Sequence, residues 1–494
     1  MVTTDELRER LAANQEWLLV REEGKTFPLY STEIEVREDG GKRHFGFLDE
    51  KGFHTWRLND AVVHGTEIAI DVAGAFARSQ ETFRLVPRTP AAELAAEIEL
   101  ARLQLANEIA RLIAGNFAGI KLGRVALNVD NGRLAQIEFD DGNRLPVAAL
   151  ADVTTRLTPE VILTHAILWL EKLGERKKKT VRKIWIICEK RQARAVQKLH
   201  GLLTDRGKGS IAVLSIDRKP DPPRLVELPS KKIRELWREK PPKLILPASH
   251  EPSHTAQKII DLAPGNIDIV ISRRGETLRF NGLPFARVRT MLGVEKAWFG
   301  TGRRQPYMLT DQSWEHLVEL IETLTLNRSD TAPNKRHELY RTAPEAWLES
   351  ILRGNIKLLD ANLILSPIYN QFRSSNDKID LLALRRDGRL VIIELKTQPD
   401  RTGVFQAADY WRKIELQRRR GLLSRANLFD GREIADKPAL VYIAAPAWSF
   451  HRDFEFFARC LAPEIELWRF ELHEAWRAQV RVLARQNYEG LTYR

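Results

Sequence analysis

The stretch "IDLLALRRDGRLVIIELKTQ", residues 379–398, decides how the last third of the chain folds. Two apolar runs flank a Gly-bearing turn, yet Asp380, Glu394 and Lys396 stand inside them. A strand this apolar is buried, and a buried charge is costly unless it pairs or holds a metal. Side chains alternate along a strand, so Glu394 and Lys396 share one face of the second run. The register depends on the turn. A two-residue Asp-Gly loop sets Asp380 opposite Leu395. A three-residue Arg-Asp-Gly loop with Gly388 left-handed sets Arg385 opposite Arg389 and Asp380 opposite Glu394. In the second register the charges converge. Two facing carboxylates repel, and one stays protonated unless a cation lies between them. Mg²⁺ suits such a pair, since it takes carboxylate oxygens and keeps several waters. A neighbouring lysine can then orient water or steady charge on a phosphate. A buried Lys–carboxylate pair without metal is the plainer alternative.

Asp380, thirteen residues, then Glu394-Leu395-Lys396 resembles the PD-(D/E)XK nuclease superfamily, and more narrowly its RecB-like and NucS-like branch. Flanking segments agree with that resemblance. The helical stretch "APEAWLESILRGN" carries Glu345 and Glu349 at i and i+4, on one helix face. The family often draws a further acidic ligand from this helix, and the spacing of Glu349 to Leu352 and Asn355 favours Glu349. After Lys396, "GVFQAADYWRKIELQRRR" sets Gln406 and Tyr410 one turn apart, like the family's QxxxY element, and "PALVYIAAP" reads as the next core strand. The Pro that commonly precedes the first Asp is absent.

The resemblance spans roughly residues 335–450. It implies a restriction-endonuclease-like αβββαβ core and Mg²⁺ or Mn²⁺ held by Asp380, Glu394 and either Glu349 or Glu345. It further implies Lys396 on the attacking water, Gln406 and Tyr410 shaping the site, and hydrolysis of phosphodiester bonds, of DNA rather than RNA. The rival reading is a nuclease fold that no longer cuts and serves as a nucleic-acid-binding or scaffolding factor. Tyr410 and Trp411 read equally well as core aromatics, and Gln371 more readily as structural.

With 494 residues the chain exceeds one compact core, so two to four domains are expected. A net charge of +12 favours a polyanionic partner, nucleic acid first and an anionic membrane second, though no membrane partner is expected. Candidate phosphate contacts are Lys177, Lys178 and Lys179 in "ERKKKTVRK", and Arg412, Lys413, Arg418 and Arg419 after the QxxxY element. For each, a solvated face is the bland reading. Two cysteines exclude a disulfide framework, and the sequence offers neither a signal peptide nor a membrane span. A cytoplasmic setting is expected.

The fold class read from these patterns is multi-domain α/β. Residues 1–88 are expected as a small β-rich module and 89–217 as an α/β domain. The Pro- and charge-rich 218–248 reads as a linker with one short helix, 249–334 as a small mixed α/β module, and 335–494 as the nuclease-like domain. The first modules would supply docking to DNA or to a protein partner, and pairing of two copies is open. "HEPSH", His250–His254, fits the HExxH zinc pattern, but Pro252 bars a continuous helix through it.

The α/β domain carries a second "GRL" hairpin, "VDNGRLAQIEFDD". Placing Gly132 on Gly388 brings Glu138 onto Glu394, but Arg124 onto Asp380 and Asp140 onto Lys396. A degenerate, inactive copy of the nuclease fold is one explanation; chance similarity is the other.

Overall fold

The protein is described from a computed structural model, for all residues except 1, 22–25, 50–51, 74–79, 89–90, 142–145, 155–156, 176–180, 182, 242–250, 273–274, 292–293, 302–306, 367–372, 375–376 and 489–494. The chain divides into two units, Met1–Glu97 with Phe285–Leu320, and Ile98–Pro284 with Ile321–Arg494.

In the first unit, α1 (Thr4–Ala12) starts at a capping box: the Thr3 hydroxyl accepts from the Glu6 N–H and the Glu6 carboxylate accepts from the Thr3 N–H. Such a cap stabilises a helix by about 1 kcal/mol. Strands β1 (Glu16–Arg21), β2 (Thr26–Tyr30), β3 (Ile34–Asp39), β4 (Lys42–Asp49), β5 (Gly52–His64), β6 (Glu67–Ala73) and β7 (Gln80–Pro87) form one antiparallel sheet, ordered β2-β1-β7-β6-β5-β4-β3. Buried Trp17, Phe45, Phe47 and Phe83 fill its inner face.

The second unit takes most of α2 (Ala91–Asn116). It continues with β8 (Lys121–Leu127), β9 (Leu134–Asp140), β10 (Pro146–Asp152), α3 (Pro159–Gly174), β11 (Ile184–Glu189), α4 (Lys190–His200), α5 (Asp205–Ser210), β12 (Ile211–Asp217) and β13 (Arg224–Leu228). The Pro-rich stretch after residue 218 thus supplies β13 as an edge strand, and then α6 (Ile233–Leu236). Helix α7 (His254–Ile260), in which His254 is the first residue, precedes the hairpin of β14 (Ile267–Ser272) and β15 (Gly275–Phe280); His250 lies outside the described residues. Next come β16 (Leu283–Met291), β17 (Val294–Phe299) and β18 (Tyr307–Met308), successive antiparallel pairs that fall mainly in the first unit.

Helices α8 (Trp314–Asn327), α9 (Glu338–Arg341) and α10 (Pro344–Gly354) lead into β19 (Leu363–Leu365) and a two-stranded ladder of β20 (Arg373–Ser374) with β21 (Asp377–Lys378). The core hairpin comes next, as β22 (Leu381–Arg385) and β23 (Leu390–Leu395). Then come α11 (Gly403–Arg419), α12 (Leu422–Arg425), β24 (Leu440–Pro446), α13 (Phe454–Cys460), β25 (Leu467–Leu472) and β26 (Val482–Asn487).

Within the second unit two six-stranded sheets run β8-β9-β10-β11-β12-β13 and β19-β22-β23-β24-β25-β26. Each opens with two antiparallel pairings, continues with two parallel ones and closes on an antiparallel edge. The crossovers correspond too, with α3 answering to α11, α4 to α13, and α2 to α10 before the first strand. All six residues of β23 are buried, as befits a strand with a parallel neighbour and helices on both faces. Layers α3–α4 and α11–α13 share one apolar cluster, in which Ile162, Ala166 and Leu199 join Phe405, Trp411 and Phe457. Being covered on nearly every side, α11 buries even its polar residues.

This architecture is α/β and multi-domain, as the patterning required. Among the described residues, no helix is long and apolar enough to cross a membrane.

Candidate active site

The turn between β22 and β23 sets the register on which the site depends. Gly388 has φ +80 and its N–H donates to Arg385 O at 2.9 Å, while Arg385 N–H donates to Arg389 O at 2.8 Å. A residue with a Cβ is strained at that φ. The ladder pairs Leu381 with Ile393 and Leu384 with Leu390. Continuing it by one residue sets Asp380 across from Glu394, the register of the three-residue turn. Asp380 Oδ2 also accepts the Leu395 N–H at 2.9 Å, which ties the first acid to the second strand.

Glu394 is 1% exposed. Its Oε1 lies 2.9 Å from Lys396 Nζ, whereas its Oε2 is buried with no hydrogen-bond partner among the described residues. Burial, then the charge of Asp380, pushes its pKa well above the ordinary carboxylate value, and Glu345 adds to the push; Lys396 opposes it. Lys396 has three partners: Glu394, Asp400 Oδ2 at 3.1 Å and Gln406 Oε1 at 3.0 Å. Burial alone would lower its pKa, but Glu394 and Asp400 outweigh burial and raise it. Its acidic neighbours therefore favour the charged form of the lysine. Gln406 passes the chain onward, its Nε2 donating to the Tyr410 hydroxyl at 3.0 Å. Residues 406 and 410 lie one turn apart on α11, so the i, i+4 geometry aligns them.

Two participants escaped the sequence reading. Asp400 both pairs with Lys396 and accepts from Thr402 N–H and Oγ1, each at 2.7 Å, just where α11 begins. An Asp-x-Thr ahead of a helix was the available signal. Gly403 is the other: a Cβ there would stand 3.2 Å from Lys396 Cε, so its bare backbone leaves room for the lysine stem.

The helix acids separate. Glu345 Oε1 accepts the Thr397 N–H at 3.4 Å, beside the strand end, and acts electrostatically on both Glu394 and Lys396. Glu349, 2% exposed, lies 3.3 Å from Arg279 on β15 and 3.3 Å from Arg353. Glu345 thus stands beside the end of β23, and Glu349 has Arg279 and Arg353 against it. Arg412 and Arg418, expected to meet phosphates, are instead buried in ion pairs, with Asp409 at 2.7 Å and Glu415 at 2.8 Å. Arg419 is more open, with Glu415 at 3.4 Å and its guanidinium 4.7 Å from the Trp237 ring centroid. Lys177, Lys178, Lys179 and Gln371 lie outside the described residues.

The donor set suits a hard divalent cation in part. Mg²⁺ commonly takes one or two carboxylates and fills its remaining positions with water or phosphate oxygens. Asp380 and Glu394 with the unpartnered Oε2 offer that much. Among the described residues no cluster of three or more His, Cys, Asp or Glu side chains could hold a metal by itself.

The corresponding place in the other sheet differs. Sheet order equates β9–β10 with β22–β23, so the sequence match of the two "GRL" hairpins is out by one strand; Arg124 does oppose Glu138, but on β8–β9. On β10, Ala148 and Leu150 enter the same shared cluster as Leu390 and Ile392 on β23. The next residue on that face is Asp152 in one and Glu394 in the other. Asp152 pairs with Leu134 across the hairpin, where Glu394 faces Asp380. Its carboxylate accepts from Thr154 N–H at 2.7 Å, Thr154 Oγ1 at 2.8 Å, Gln192 Nε2 at 2.7 Å and Leu157 N–H at 3.2 Å. Thr154 holds the position of Lys396.

No family model matches the chain, and no curated protein matches it. Among solved structures, "Structure of EndoMS in apo form" matches with a TM-score of 0.14 and 13% identity, covering 38% of this chain and 85% of that chain. A TM-score that low carries no argument about fold or function.

Proposed function

We propose that the β22–β23 hairpin and α11 form the active site of a metal-dependent nuclease that hydrolyses phosphodiester bonds, of DNA rather than RNA. The observation that carries this reading is Glu394, a buried carboxylate with one oxygen on Lys396 and the other unpartnered among the described residues, across from a second acid. An arrangement of that kind is a poor way to stabilise a fold. It is a good way to receive a cation. Asp380 and Glu394, with Glu345 as a further acid beside the end of β23, would hold Mg²⁺ or Mn²⁺; when bound, the ion lowers the pKa of water and neutralises phosphate charge.

The chain's own residues do the rest. Asp400 and Gln406 fix the Lys396 ammonium, so its charge is aimed before substrate arrives rather than recruited afterwards. Held in that way, Lys396 would orient or activate the nucleophilic water, or steady charge on a phosphate oxygen. Tyr410 buttresses Gln406 through its hydroxyl. The net charge of +12 favours approach of the polyanion.

The test is cleavage of labelled single-stranded, duplex and branched DNA and RNA in Mg²⁺, Mn²⁺ or EDTA. Metal-dependent cutting that disappears in both Asp380→Ala and Lys396→Ala supports the assignment. Tight binding without cutting in any metal supports a nuclease fold that has kept its substrate and lost its chemistry.

A further inference from the structure

The connections that leave α4 and α13 occupy equivalent places in the two halves of the second unit, each leading towards the last parallel strand of its sheet. These two connections pair with each other. Leu203 and Leu461 form an antiparallel bridge, Thr204 N–H donates to Cys460 O at 2.9 Å, and Ala462 N–H donates to Leu202 O at 2.8 Å. An antiparallel bridge between equivalent segments has a local two-fold relation, the mark of an isologous contact. Around it α3 and α4 from one half and α11 and α13 from the other enclose a single apolar cluster. Two like subunits meeting face to face would bury the same helices in the same way. Here both belong to one chain.

The two halves differ at the corresponding positions. Where the C-terminal half has Asp380, Glu394 and Lys396, the central half has Leu134, Asp152 and Thr154. Leu134 cannot ligate a cation, and both oxygens of Asp152 are occupied by hydrogen bonds from Thr154, Leu157 and Gln192.

We infer that the central half stands in for the second subunit of a two-fold nuclease pair, so that a single chain binds duplex DNA and cuts one strand. The inference rests on the nuclease reading of the C-terminal hairpin and adds to it the substrate class and the product. The strands of a duplex are antiparallel and related by two-folds across its axis, so a two-fold protein pair presents one site to each strand. With one site inert, one strand is addressed. In each event water adds across one P–O bond: its oxygen bonds to phosphorus, the departing sugar oxygen takes a proton, and a hydroxyl end and a phosphate end result. The opposite strand stays whole. A second chain has no free copy of this helical face to dock on, because the face is filled internally.

Two measurements on the full chain test this. Supercoiled plasmid incubated with protein and Mg²⁺ or Mn²⁺ is resolved into supercoiled, open-circular and linear forms over time. Open circles are expected to accumulate, with an initial rate proportional to protein concentration and linear DNA appearing only after a lag. Linear DNA formed directly from supercoiled, or a rate rising with the square of protein concentration, overturns the inference. In parallel, mass photometry of the Glu394→Gln chain on a duplex of about 30 base pairs, roughly three helical turns, counts chains per DNA. One chain per duplex supports the inference and two contradict it; equal binding of duplex RNA overturns the choice of DNA. Failure to convert plasmid in any metal removes the nuclease reading, and the count of chains per duplex then decides whether the central half still serves as the partner.

Discussion

The central and C-terminal halves of the second unit share strand order, the sense of every pairing and the placement of crossover helices, yet they differ in what stands at the end of the third strand. In the central half an acid meets four hydrogen-bond donors and faces a leucine. In the C-terminal half an acid keeps an oxygen unpartnered, faces another acid and leans on a lysine. The first arrangement is what a fold selects when stability is the only requirement. The second buries an acid beside another acid, an arrangement that is costly unless a cation compensates it. One backbone design thus supports both, and the distinction lies in a few side chains.

The largest effect expected from this difference falls on catalysis. Asp380→Ala or Lys396→Ala should lower metal-dependent cleavage by about 10³-fold, at the upper end of what one fixed charge contributes to such a site. Single-turnover rates at saturating metal check it, and retention of more than a tenth of the activity would detach the hairpin from the reaction.

In the central half the corresponding change should move stability instead. Asp152→Ala leaves the Thr154 and Leu157 amides and the Gln192 side chain short of an acceptor, a loss of about 1–3 kcal/mol. Thermal or urea unfolding should register that loss while the cleavage rate per folded chain is unaltered.

Gly403→Ala is a finer probe. The added methyl would meet Lys396 Cε at 3.2 Å, so the ammonium must shift by a few tenths of an ångström. A fall in kcat of roughly 3–10-fold is expected from such a displacement of a positioned charge, with substrate affinity held, as a KM measurement would reveal.

The smallest effect is on pH dependence. Glu394 has a folded pKa above its ordinary value, so between the two values the folded chain holds a proton that the unfolded chain has released. Stability of the metal-free protein therefore falls as pH rises through that window and is constant above it. Glu394→Gln should flatten that slope, and saturating Mg²⁺ should oppose it in the wild type. Unfolding midpoints from mildly acidic pH upward, with EDTA or Mg²⁺, test both; an unchanged slope in the variant would mean that Glu394 is not the group responsible.

What could be read from sequence and what could not divide along physical lines. The hairpin register was legible as one of two, and the left-handed Gly388 of a three-residue loop decides between them. So was the pairing of Gln406 with Tyr410, since four-residue spacing on a helix is local geometry. The surroundings of the two helix acids were not. Glu345 and Glu349 share a face, and what separates them is Arg279, 70 residues before Glu349. Arg412 read from sequence as a phosphate contact or a solvated cation, but Glu239 lies 3.5 Å away and α3 and α4 pack against its helix. The internal likeness was visible only as a wrong alignment. Two "GRL" turns suggested it, whereas the actual correspondence is carried by strand order, which leaves no trace in residue identity.

The most direct measurement is calorimetric titration of Mg²⁺ or Mn²⁺ into the wild type, Glu394→Gln and Asp152→Ala, each shown folded by its unfolding transition. Binding in the wild type, kept by Asp152→Ala and lost by Glu394→Gln, is the expected result. Binding that survives Glu394→Gln, or that disappears with Asp152→Ala, would contradict a metal site confined to the C-terminal half.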